Sequence, residues 1–223
     1  MPPTIELIAH RGAPRERPEN TIAAFERALE LGCDAVELDV HATAEGTVVV
    51  HHDPTLAEGD RPIASLSDDE LARHRVRGEP VPTLDEVLEL CAGRCRVHVE
   101  IKGRGIERLV VDRIRAHAAE CAVHSFDHRA IARVRELAPA LRRGILLDSY
   151  LVDVGAALRA ADAQDLWQQW AWIDAPLVAD ATRAGARVVA WTVNSVDAAN
   201  ALARLGVGAL CTDVLTALAP LRG

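Results

Sequence analysis

The stretches I-E-L-I-A-H-R-G at 5–12 and A-V-E-L-D-V-H at 35–41 determine the architecture that we expect for this chain. Each is an apolar run that contains or ends in ionisable residues, and a third run, G-T-V-V-V-H-H-D at 46–53, ends in the same way. Burying a charged group is costly unless the group is paired or binds a metal. We therefore interpret the three charged ends as one functional site, and the rest of the chain as its scaffold.

Segments typical of strands and helices alternate along the remaining sequence. Polar and apolar side chains alternate along 35–41, so that Glu37, Asp39 and His41 share one face of a strand. We predict further strands at 96–102, 121–125, 144–147, 166–170, 187–193 and 209–212. About eight strands, each followed by a helix, are what a closed (β/α)8 barrel requires.

The main alternative is a doubly wound open sheet, which also alternates strands and helices. No G-x-G-x-x-G follows the first strand, and the charged residues fall at several different strand ends. We therefore predict an α/β protein with a TIM-barrel fold. We expect residues 1–223 to form a single domain, with a short insertion at 53–82 after the second strand.

Composition excludes several classes of function. The formal net charge of −8, with no cluster of Lys and Arg, argues against a nucleic-acid partner. No apolar stretch is long enough for stable membrane insertion, and the start of the chain does not resemble a signal peptide. The five cysteines are odd in number and scattered, which favours free thiols in a cytoplasmic protein over disulfides or a zinc site. The sequence leaves a homo-oligomer open.

In a barrel, the carboxyl ends of the strands converge at one mouth, where catalytic groups gather. The residues expected there are His10, Arg11, Glu37, Asp39, His52, Glu100 and Lys102. The three carboxylates would repel one another unless a cation lay among them. Their oxygen atoms suit Mg²⁺ or Ca²⁺ better than zinc. The alternative is that each carboxylate pairs with a neighbouring Arg or Lys, but the occurrence of all three at strand ends favours the metal.

The two histidines at separate strand ends, His10 and His52, could divide the work of a general acid and a general base. Arg11 and Lys102 would supply the positive charge that a phosphate group needs. Other histidines are weaker candidates (His41, His51, His98), undecided (His124) or expected to be structural (His74, His117, His128). There is no G-x-S-x-G motif and no P-loop, so the pattern favours phosphoryl transfer over serine hydrolysis or nucleotide hydrolysis.

The ordered set of motifs resembles the glycerophosphodiester phosphodiesterase family over the length of the chain. The matching motifs are A-H-R-G at 9–12, P-E-N-T at 18–21, E-L-D-V at 37–40, H-D-P-T-L at 52–56, V-P-T-L-D-E-V-L at 81–88, E-I-K at 100–102, S-F-D at 125–127, W-T-V-N at 191–194 and T-D at 212–213. Each motif alone is weak evidence, but their order along one chain is specific.

The resemblance implies a (β/α)8 barrel that hydrolyses glycerophosphodiesters, small molecules of lipid and glycerol metabolism, to glycerol 3-phosphate and an alcohol. By the motif match, one divalent metal, Mg²⁺ or Ca²⁺, would be held by Glu37, Asp39 and Glu100. His10 and His52 would be the acid and base, and Arg11 and Lys102 would bind the phosphate. The family mechanism implies attack by a glycerol hydroxyl and a cyclic phosphate that water then opens.

Three features are left for the structure to place. Asn20 is expected to brace the loop after His10 and to cap the following helix, and Trp191 is a candidate wall of the pocket. Trp167, Trp170 and Trp172 could bind a choline-like cation or a lipid chain, or could simply pack in the core or at a subunit interface. The insertion at 53–82 is short for the family, which suggests an open mouth.

Two other functions remain as alternatives. A phospholipase D-like activity on lysophospholipids or sphingomyelin would need an apolar track beside the mouth, for which the tryptophans are the only sign. A non-catalytic binding barrel is the second alternative. It is disfavoured because a protein that only binds would be expected to have lost a histidine or a metal ligand, and none is missing here.

Overall fold

A computed structural model describes residues 5–57 and 61–222 of the chain. The strands in these ranges are β1 (Glu6–His10), β2 (Ala35–Ala42), β3 (Val48–Val50), β4 (Arg75–Val76), β5 (Glu79–Pro80), β6 (Arg96–Ile101), β7 (Cys121–Ser125), β8 (Arg142–Leu147), β9 (Asp165–Gln169), β10 (Arg187–Trp191) and β11 (Ala209–Thr212). The helices there are α1 (Ile22–Glu30), α2 (Asp68–Leu71), α3 (Leu84–Cys91), α4 (Glu107–Ala116), α5 (His128–Leu137), α6 (Val154–Ala161), α7 (Ala175–Arg183), α8 (Val196–Leu205) and α9 (Leu215–Leu218).

Within the described residues, eight parallel strands close into a barrel in the order β1, β2, β6, β7, β8, β9, β10 and β11. The barrel closes because β1 pairs in parallel with both β2 and β11. The short strand β3 returns antiparallel to β2. The prediction of a (β/α)8 barrel is confirmed, and the open doubly wound alternative is wrong.

Successive side chains of a barrel strand point alternately outwards and inwards, so the protein has one apolar core outside the barrel and another inside it. Residues such as Val36, Leu38, Val97 and Val99 are buried in the apolar layer between the barrel and its helices. A smaller apolar group, which includes Leu146 and is centred on Trp167, fills the inside of the barrel. Polar side chains of β2 and β6 alternate with the first set, so they face the interior of the barrel.

The segment predicted as an insertion, 53–82, carries α2 and a small hairpin of β4 and β5; its residues 58–60 lie outside the described part of the chain. Ser67 begins α2 with a capping box that it forms with Glu70. Ile63 and Leu71 pack with Val49 in a separate apolar cluster. The insertion therefore rests on β3, beside the barrel.

Some predicted boundaries differ from the structure by one or two residues. Trp170 was expected to end a strand, but β9 ends at Gln169, whose side chain accepts a hydrogen bond from the backbone of Ala171 and begins a 3₁₀ turn. Thr21, rather than Asn20, caps α1 by accepting from the amide of Ala24. Such side-chain hydrogen bonds give the backbone an alternative to the regular hydrogen bonds of a helix or strand, and they therefore set where these elements begin and end.

None of the helices in the ranges 5–57 and 61–222 is long and apolar enough to cross a membrane. The five cysteines are all free thiols, in line with the expectation from their number and spacing.

Buried ion pairs occupy the amino-terminal ends of the barrel strands. Glu6 accepts from Arg96 at 2.9 Å and also from Arg187, which donates to Asp165 at 2.6 Å. Burial raises the pKa of Glu6, but hydrogen bonds and charges from His98 and Arg187 outweigh it and lower the pKa to about 2. The folded protein therefore holds Glu6 ionised at a pH where the unfolded chain binds a proton.

This linkage predicts how the acid stability of a Glu6→Gln variant differs from that of the wild type. The depressed pKa of Glu6 stabilises the fold above pH 4.5, the ordinary value, and this stability is lost as the pH falls towards 2. The variant should be less stable at pH 7 by about 3 kcal/mol, and the difference should vanish near pH 2. Urea unfolding at a series of pH values measures it.

The matched control is Glu120→Gln, because Glu120 pairs with Arg96 on the exposed side of the same network. An exposed pair contributes at most about 1 kcal/mol, so this variant should follow the wild type at every pH. A Glu6→Gln difference that stayed constant from pH 7 to pH 2 would contradict the assigned pKa.

Candidate functional site

A cavity opens at the carboxyl ends of the barrel strands. All of the site residues predicted from the sequence line it except Asp39, which lies just behind the wall. The other residues that line it are His124, Phe126, Leu146, Trp167 and Cys211. The convergence of the strand ends at the mouth is therefore confirmed.

The parallel register of the strands brings these residues together. His10 at the end of β1 is the partner of Glu37 on β2. Asp39 on β2 is the partner of Glu100 on β6, and Glu100 in turn is the partner of His124 on β7. Residues separated by tens of positions in sequence thus become neighbours through backbone pairing alone.

His10 is oriented by a carboxylate from the last strand end. Its Nδ1 donates to Asp213 Oδ1 at 2.7 Å, and Asp213 is itself held by the side-chain amide of Asn194 at 2.7 Å. Burial raises the pKa of Asp213, but the hydrogen bond and charge of His10 outweigh it, so that this pKa lies below its ordinary value. The pair fixes the tautomer of His10, with Nε2 as the nitrogen that a substrate can reach.

His52 also lines the cavity and is about one-third exposed. Its Nδ1 donates to the exposed carboxylate of Asp53 at 2.8 Å, and its backbone carbonyl accepts from His41 Nε2 at 3.2 Å. Burial and the positive charges of Arg11 and Lys102 lower the pKa of His52 below the ordinary histidine value. His52 is therefore neutral near pH 7.

The buried carboxylates Glu37 and Glu100 are not fully balanced by protein cations. Burial, with the negative charges of Asp39 and Glu100, raises the pKa of Glu37 well above its ordinary value. Burial and the charge of Asp39 also raise the pKa of Glu100 to about 7. Both shifts indicate a pocket of excess negative charge, which a bound cation would neutralise.

Asp39, by contrast, is surrounded by donors. Its Oδ2 accepts from Asn20 Nδ2 at 2.9 Å and lies 3.1 Å from Arg11 Nε, while Lys102 Nζ stands 3.7 Å from Oδ1. Burial raises the pKa of Asp39, but the charges of Arg11 and Lys102 outweigh it and lower the pKa below its ordinary value. The structure confirms that Asn20 braces the loop after His10, whereas its predicted capping role falls to Thr21.

The two cations predicted to bind phosphate contact carboxylates in this structure. Arg11 Nη1 donates to Glu19 at 2.9 Å, and its backbone amide donates to Glu37. Lys102 Nζ lies 3.4 Å from Glu100 Oε1. Both side chains line the cavity, so they can turn towards an anion that enters it.

Within the described residues, one group has the geometry to hold a metal ion. Glu37, Glu100 and His124 each offer an atom within 4.8 Å of the other two. The predicted ligands Glu37 and Glu100 are thus brought together with His124, and the third predicted ligand, Asp39, is the register partner of Glu100 on the neighbouring strand. These groups fit a divalent cation, because Asp39 Oδ1 is also buried without a hydrogen-bond partner in this part of the chain and the charge of Asp39 acts on both Glu37 and Glu100.

The tryptophans do not form one cluster. Trp191 lines the cavity and packs edge to face against Phe126, with 5.7 Å between ring centroids. Trp167 is 2% exposed and belongs to the core inside the barrel. Trp170 and Trp172 are exposed on the loop after β9, at the same end of the barrel as the mouth.

The remaining histidines are not among the residues that line the cavity. His98 is fully buried but faces Glu6 at the opposite end of the barrel, at 3.6 Å. The rings of the other structural or weaker candidates bond to nearby groups: His51 to Asp53, His117 to Asp85 and His128 to Leu146.

The sequence analysis assigned no role to Asp213 or Asn194 and left His124 undecided. The structure places Asp213 against His10, Asn194 against Asp213, and His124 on the cavity wall. A usable signal was present for Asp213: it directly follows the last strand, which must lie beside the first strand if the barrel is to close. For His124, the signal was its position next to the end of β7, one strand from Glu100.

The fold and site define a (β/α)8-barrel enzyme with an acidic, histidine-containing centre, and comparison with known proteins gives the family. The profile of the Glycerophosphoryl diester phosphodiesterase family matches residues 10–217. A glycerophosphodiester phosphodiesterase of Caldanaerobacter subterraneus subsp. tengcongensis is 33% identical over 226 residues, with 93% of each chain covered.

Solved structures agree with this match. An Oleispira antarctica phosphodiesterase, in complex with the product sn-glycerol-3-phosphate, superposes with a TM-score of 0.91 at 26% identity, covering 98% of this chain and 96% of that one. A glycerophosphodiester phosphodiesterase from Agrobacterium tumefaciens gives a TM-score of 0.84 at 27% identity, with 97% and 98% covered. The chain belongs to the glycerophosphoryl diester phosphodiesterase family and is an enzyme of that class.

The close packing of the loop after His10 yields a stability prediction. Gly12 has φ +89°, and a Cβ there would lie 2.7 Å from the backbone carbon of Ala24 in α1. Gly12→Ala should therefore cost about 1–2 kcal/mol for the backbone conformation and a further ~1–3 kcal/mol for overpacking. Denaturant unfolding measures the loss.

Gly78→Ala is the matched control, because Gly78 has φ +91° but nothing within 4 Å of its added Cβ. It should show the conformational cost alone. Equal losses in the two variants would mean that the close approach of Gly12 to α1 adds no packing cost.

Proposed function

We propose that this chain is a metal-dependent glycerophosphodiester phosphodiesterase that uses His10 and His52 as its acid–base pair and forms a cyclic phosphate intermediate. The observation that carries the proposal is the placement of both histidines on the wall of one cavity that Glu37 and Glu100 also line. One histidine can then act on the attacking hydroxyl and the other on the leaving oxygen. The charge of the phosphate group between these two oxygens would be neutralised by the other groups of the site.

The surroundings of the histidines support a division of roles. His52 is kept neutral beside Arg11 and Lys102, which suits a base that accepts a proton from the attacking glycerol hydroxyl. His10 is bonded to Asp213, and this carboxylate would stabilise an imidazolium that donates its proton to the leaving alcohol oxygen. The roles would reverse when water opens the cyclic phosphate.

Arg11 and Lys102 would bind the phosphate oxygens. The guanidinium of Arg11 can donate two parallel hydrogen bonds, whereas Lys102 acts as a point charge. Their present carboxylate contacts hold them at the cavity wall, so little rearrangement is required when an anion enters. Trp191, together with Phe126, would wall the pocket on its apolar side.

The divalent cation, which we propose to be held by Glu37 and Glu100 with Asp39 close by, would lower the pKa of the attacking hydroxyl and neutralise phosphate charge. The excess negative charge of the carboxylates supports a cation at this position. The product in the Oleispira antarctica relative, sn-glycerol-3-phosphate, supports the release of glycerol 3-phosphate here as well. The catalytic unit would be the whole of residues 1–223, because β1 and β11 pair to close the barrel.

A second substrate class has a specific observation in its favour. Trp170, Trp172, Tyr150 and Val152 are exposed on the loops after β8 and β9, beside the mouth. An apolar border of this kind could receive the chain of a lysophospholipid, which would correspond to the phospholipase D-like alternative. The order of activities on a substrate panel separates the two.

The proposed reaction predicts that the purified protein releases glycerol 3-phosphate from a panel of glycerophosphodiesters. Release should stop with EDTA and return when a divalent cation is restored, because the carboxylates need a cation to accept a phosphate. An enzyme-coupled assay for glycerol 3-phosphate measures it. Turnover of lysophospholipids in preference to every water-soluble diester would favour the second class, and full activity in EDTA after exhaustive dialysis would remove the metal from the mechanism.

His10→Ala and His52→Ala should each lower kcat by about 10²–10⁴-fold, the usual contribution of a positioned acid or base. The thermal melt should change little, because both side chains lie at the cavity surface rather than in the core. His74→Ala, in the insertion, is the control and should keep activity within about threefold. Near-normal turnover in either site variant would exclude that histidine from the chemistry.

A further inference from the structure

Three cysteines lie together at the amino-terminal end of the barrel, opposite the mouth. Cys33 follows α1, Cys91 ends α3, and Cys95 directly precedes β6. Cys33 and Cys91 are buried in the apolar layer between the barrel and its helices, and Cys95 packs against that layer while it stays partly exposed. We infer that Cys95 is a site of reversible oxidation by a peroxide, which joins it in a disulfide to Cys33 or Cys91.

The backbone brings the three residues close to one another. Where β2 and β6 pair in parallel, the amide of Arg96 donates to the carbonyl of Asp34 at 3.4 Å. Cys95 and Cys33 are the residues directly before these two. In the turn after α3, the amide of Cys95 also donates to the carbonyl of Cys91 at 3.2 Å. Neighbouring strands lie roughly 5 Å apart, and a disulfide spans about 4.4–6.8 Å between Cα atoms, so either pair can be bridged without unfolding the barrel.

Of the three sulfur atoms, that of Cys95 ionises most readily. Hydrogen bonds from the thiols of Cys33 and Cys91 lower the pKa of Cys95 well below its ordinary value and outweigh the effect of burial. The backbone of Val36 and the charge of Arg94 act in the same direction. At pH 7 the group therefore consists of one thiolate and two thiols, and the thiolate is the form of cysteine that attacks a peroxide.

Cys95 is also the member of the group that a small oxidant can reach. It lines a cavity at the amino-terminal end of the barrel, together with Arg94 and Arg96 on either side of it. Cys33 and Cys91 are buried and do not line this cavity. A peroxide that enters the cavity therefore meets Cys95 first, while the two thiols behind it are protected until the second step.

The reaction takes two steps and balances with one molecule of hydrogen peroxide. The Cys95 thiolate attacks one peroxide oxygen, so that an S–O bond forms, the O–O bond breaks, and the departing hydroxide takes a proton from solvent to become water. The thiol of Cys33 or Cys91 then attacks the Cys95 sulfur, the S–O bond breaks, and the second hydroxide leaves with the thiol proton as water. Two thiols are thereby oxidised to a disulfide, and the peroxide is reduced to water.

A metal ion is the competing occupant of a group of three cysteines. Thiolates that share a zinc ion at about 2.3 Å stand roughly 4 Å from one another. Within residues 5–57 and 61–222, the three sulfur atoms are not a group whose members all lie within 4.8 Å of one another. A disulfide needs only two of the three, and Cys95 contacts both of the others, so the geometry favours oxidation over metal binding.

Cys121 provides a matched comparison at the same end of the barrel. It begins β7, next to β6, and is partly exposed like Cys95. Its thiol donates to the carbonyl of Ala119 at 3.5 Å, and burial with the charge of Glu120 raises its pKa to about 12. Cys121 therefore stays protonated at pH 7, and a Cys121→Ser variant removes a nearby, partly exposed sulfur without removing the thiolate.

The test treats the reduced protein with hydrogen peroxide and measures the free thiols after denaturation. The wild type should lose two thiols per chain and regain them with dithiothreitol, and peptide mass spectrometry should find Cys95 linked to Cys33 or to Cys91. Cys95→Ser should lose thiols roughly tenfold more slowly or slower still, whereas Cys121→Ser should behave as the wild type does. An unchanged rate in Cys95→Ser, a disulfide that contains Cys121 or Cys211, or a link between two chains would overturn the inference.

A second measurement uses the wild type alone, in case Cys95→Ser alters the fold. With limiting iodoacetamide at pH 7, alkylation of Cys95 should exceed that of Cys121 by roughly tenfold or more. Brief exposure to peroxide with dimedone, which captures sulfenic acids, should label Cys95. Equal alkylation of the two cysteines, or dimedone on a different cysteine, would contradict the assigned role. Neither readout depends on the proposed hydrolysis, because the cysteines lie at the opposite end of the barrel from the mouth.

Discussion

Buried negative charge is the constraint on which the mouth of the barrel depends. Glu37, Asp39 and Glu100 are all buried, and carboxylates in such a place repel one another unless positive charge is supplied. The protein supplies part of it through Arg11 and Lys102, which engage Asp39. The negative charge of Glu37 and Glu100 that remains is what the proposed cation would neutralise.

Buried charges are balanced by the protein at one end of the barrel but not at the other. At the amino-terminal end, Glu6 and Asp165 are matched by Arg187 and its neighbours, so their charges are satisfied by the protein itself. Between the ends, the ring of Trp167 fills the barrel interior. This apolar layer separates the mouth from the balanced ion pairs at the amino-terminal end. The excess negative charge at the mouth can then act strongly on a ligand, because electrostatic interactions are strong in a medium of low dielectric constant.

Residues that would act on the substrate sit on the strand ends, and residues that orient them come from elsewhere in the chain. His10 ends β1 but depends on Asp213 and Asn194, which follow β11 and β10. Closing the barrel is therefore a requirement for the site as well as for the core. Trp170 and Trp172 are exposed on the loop after β9, and we propose this loop as the part of the mouth that distinguishes one leaving alcohol from another.

The sequence by itself determined the alternation of strands and helices, because side-chain periodicity depends only on local geometry. It also placed Glu37 and Glu100 at the mouth, since strand ends converge in any barrel. Only the tertiary structure decided that Asp213 orients His10 and that His124 joins the carboxylates. Those contacts depend on barrel closure, strand register and the stacking on Trp167, none of which follows from local pattern.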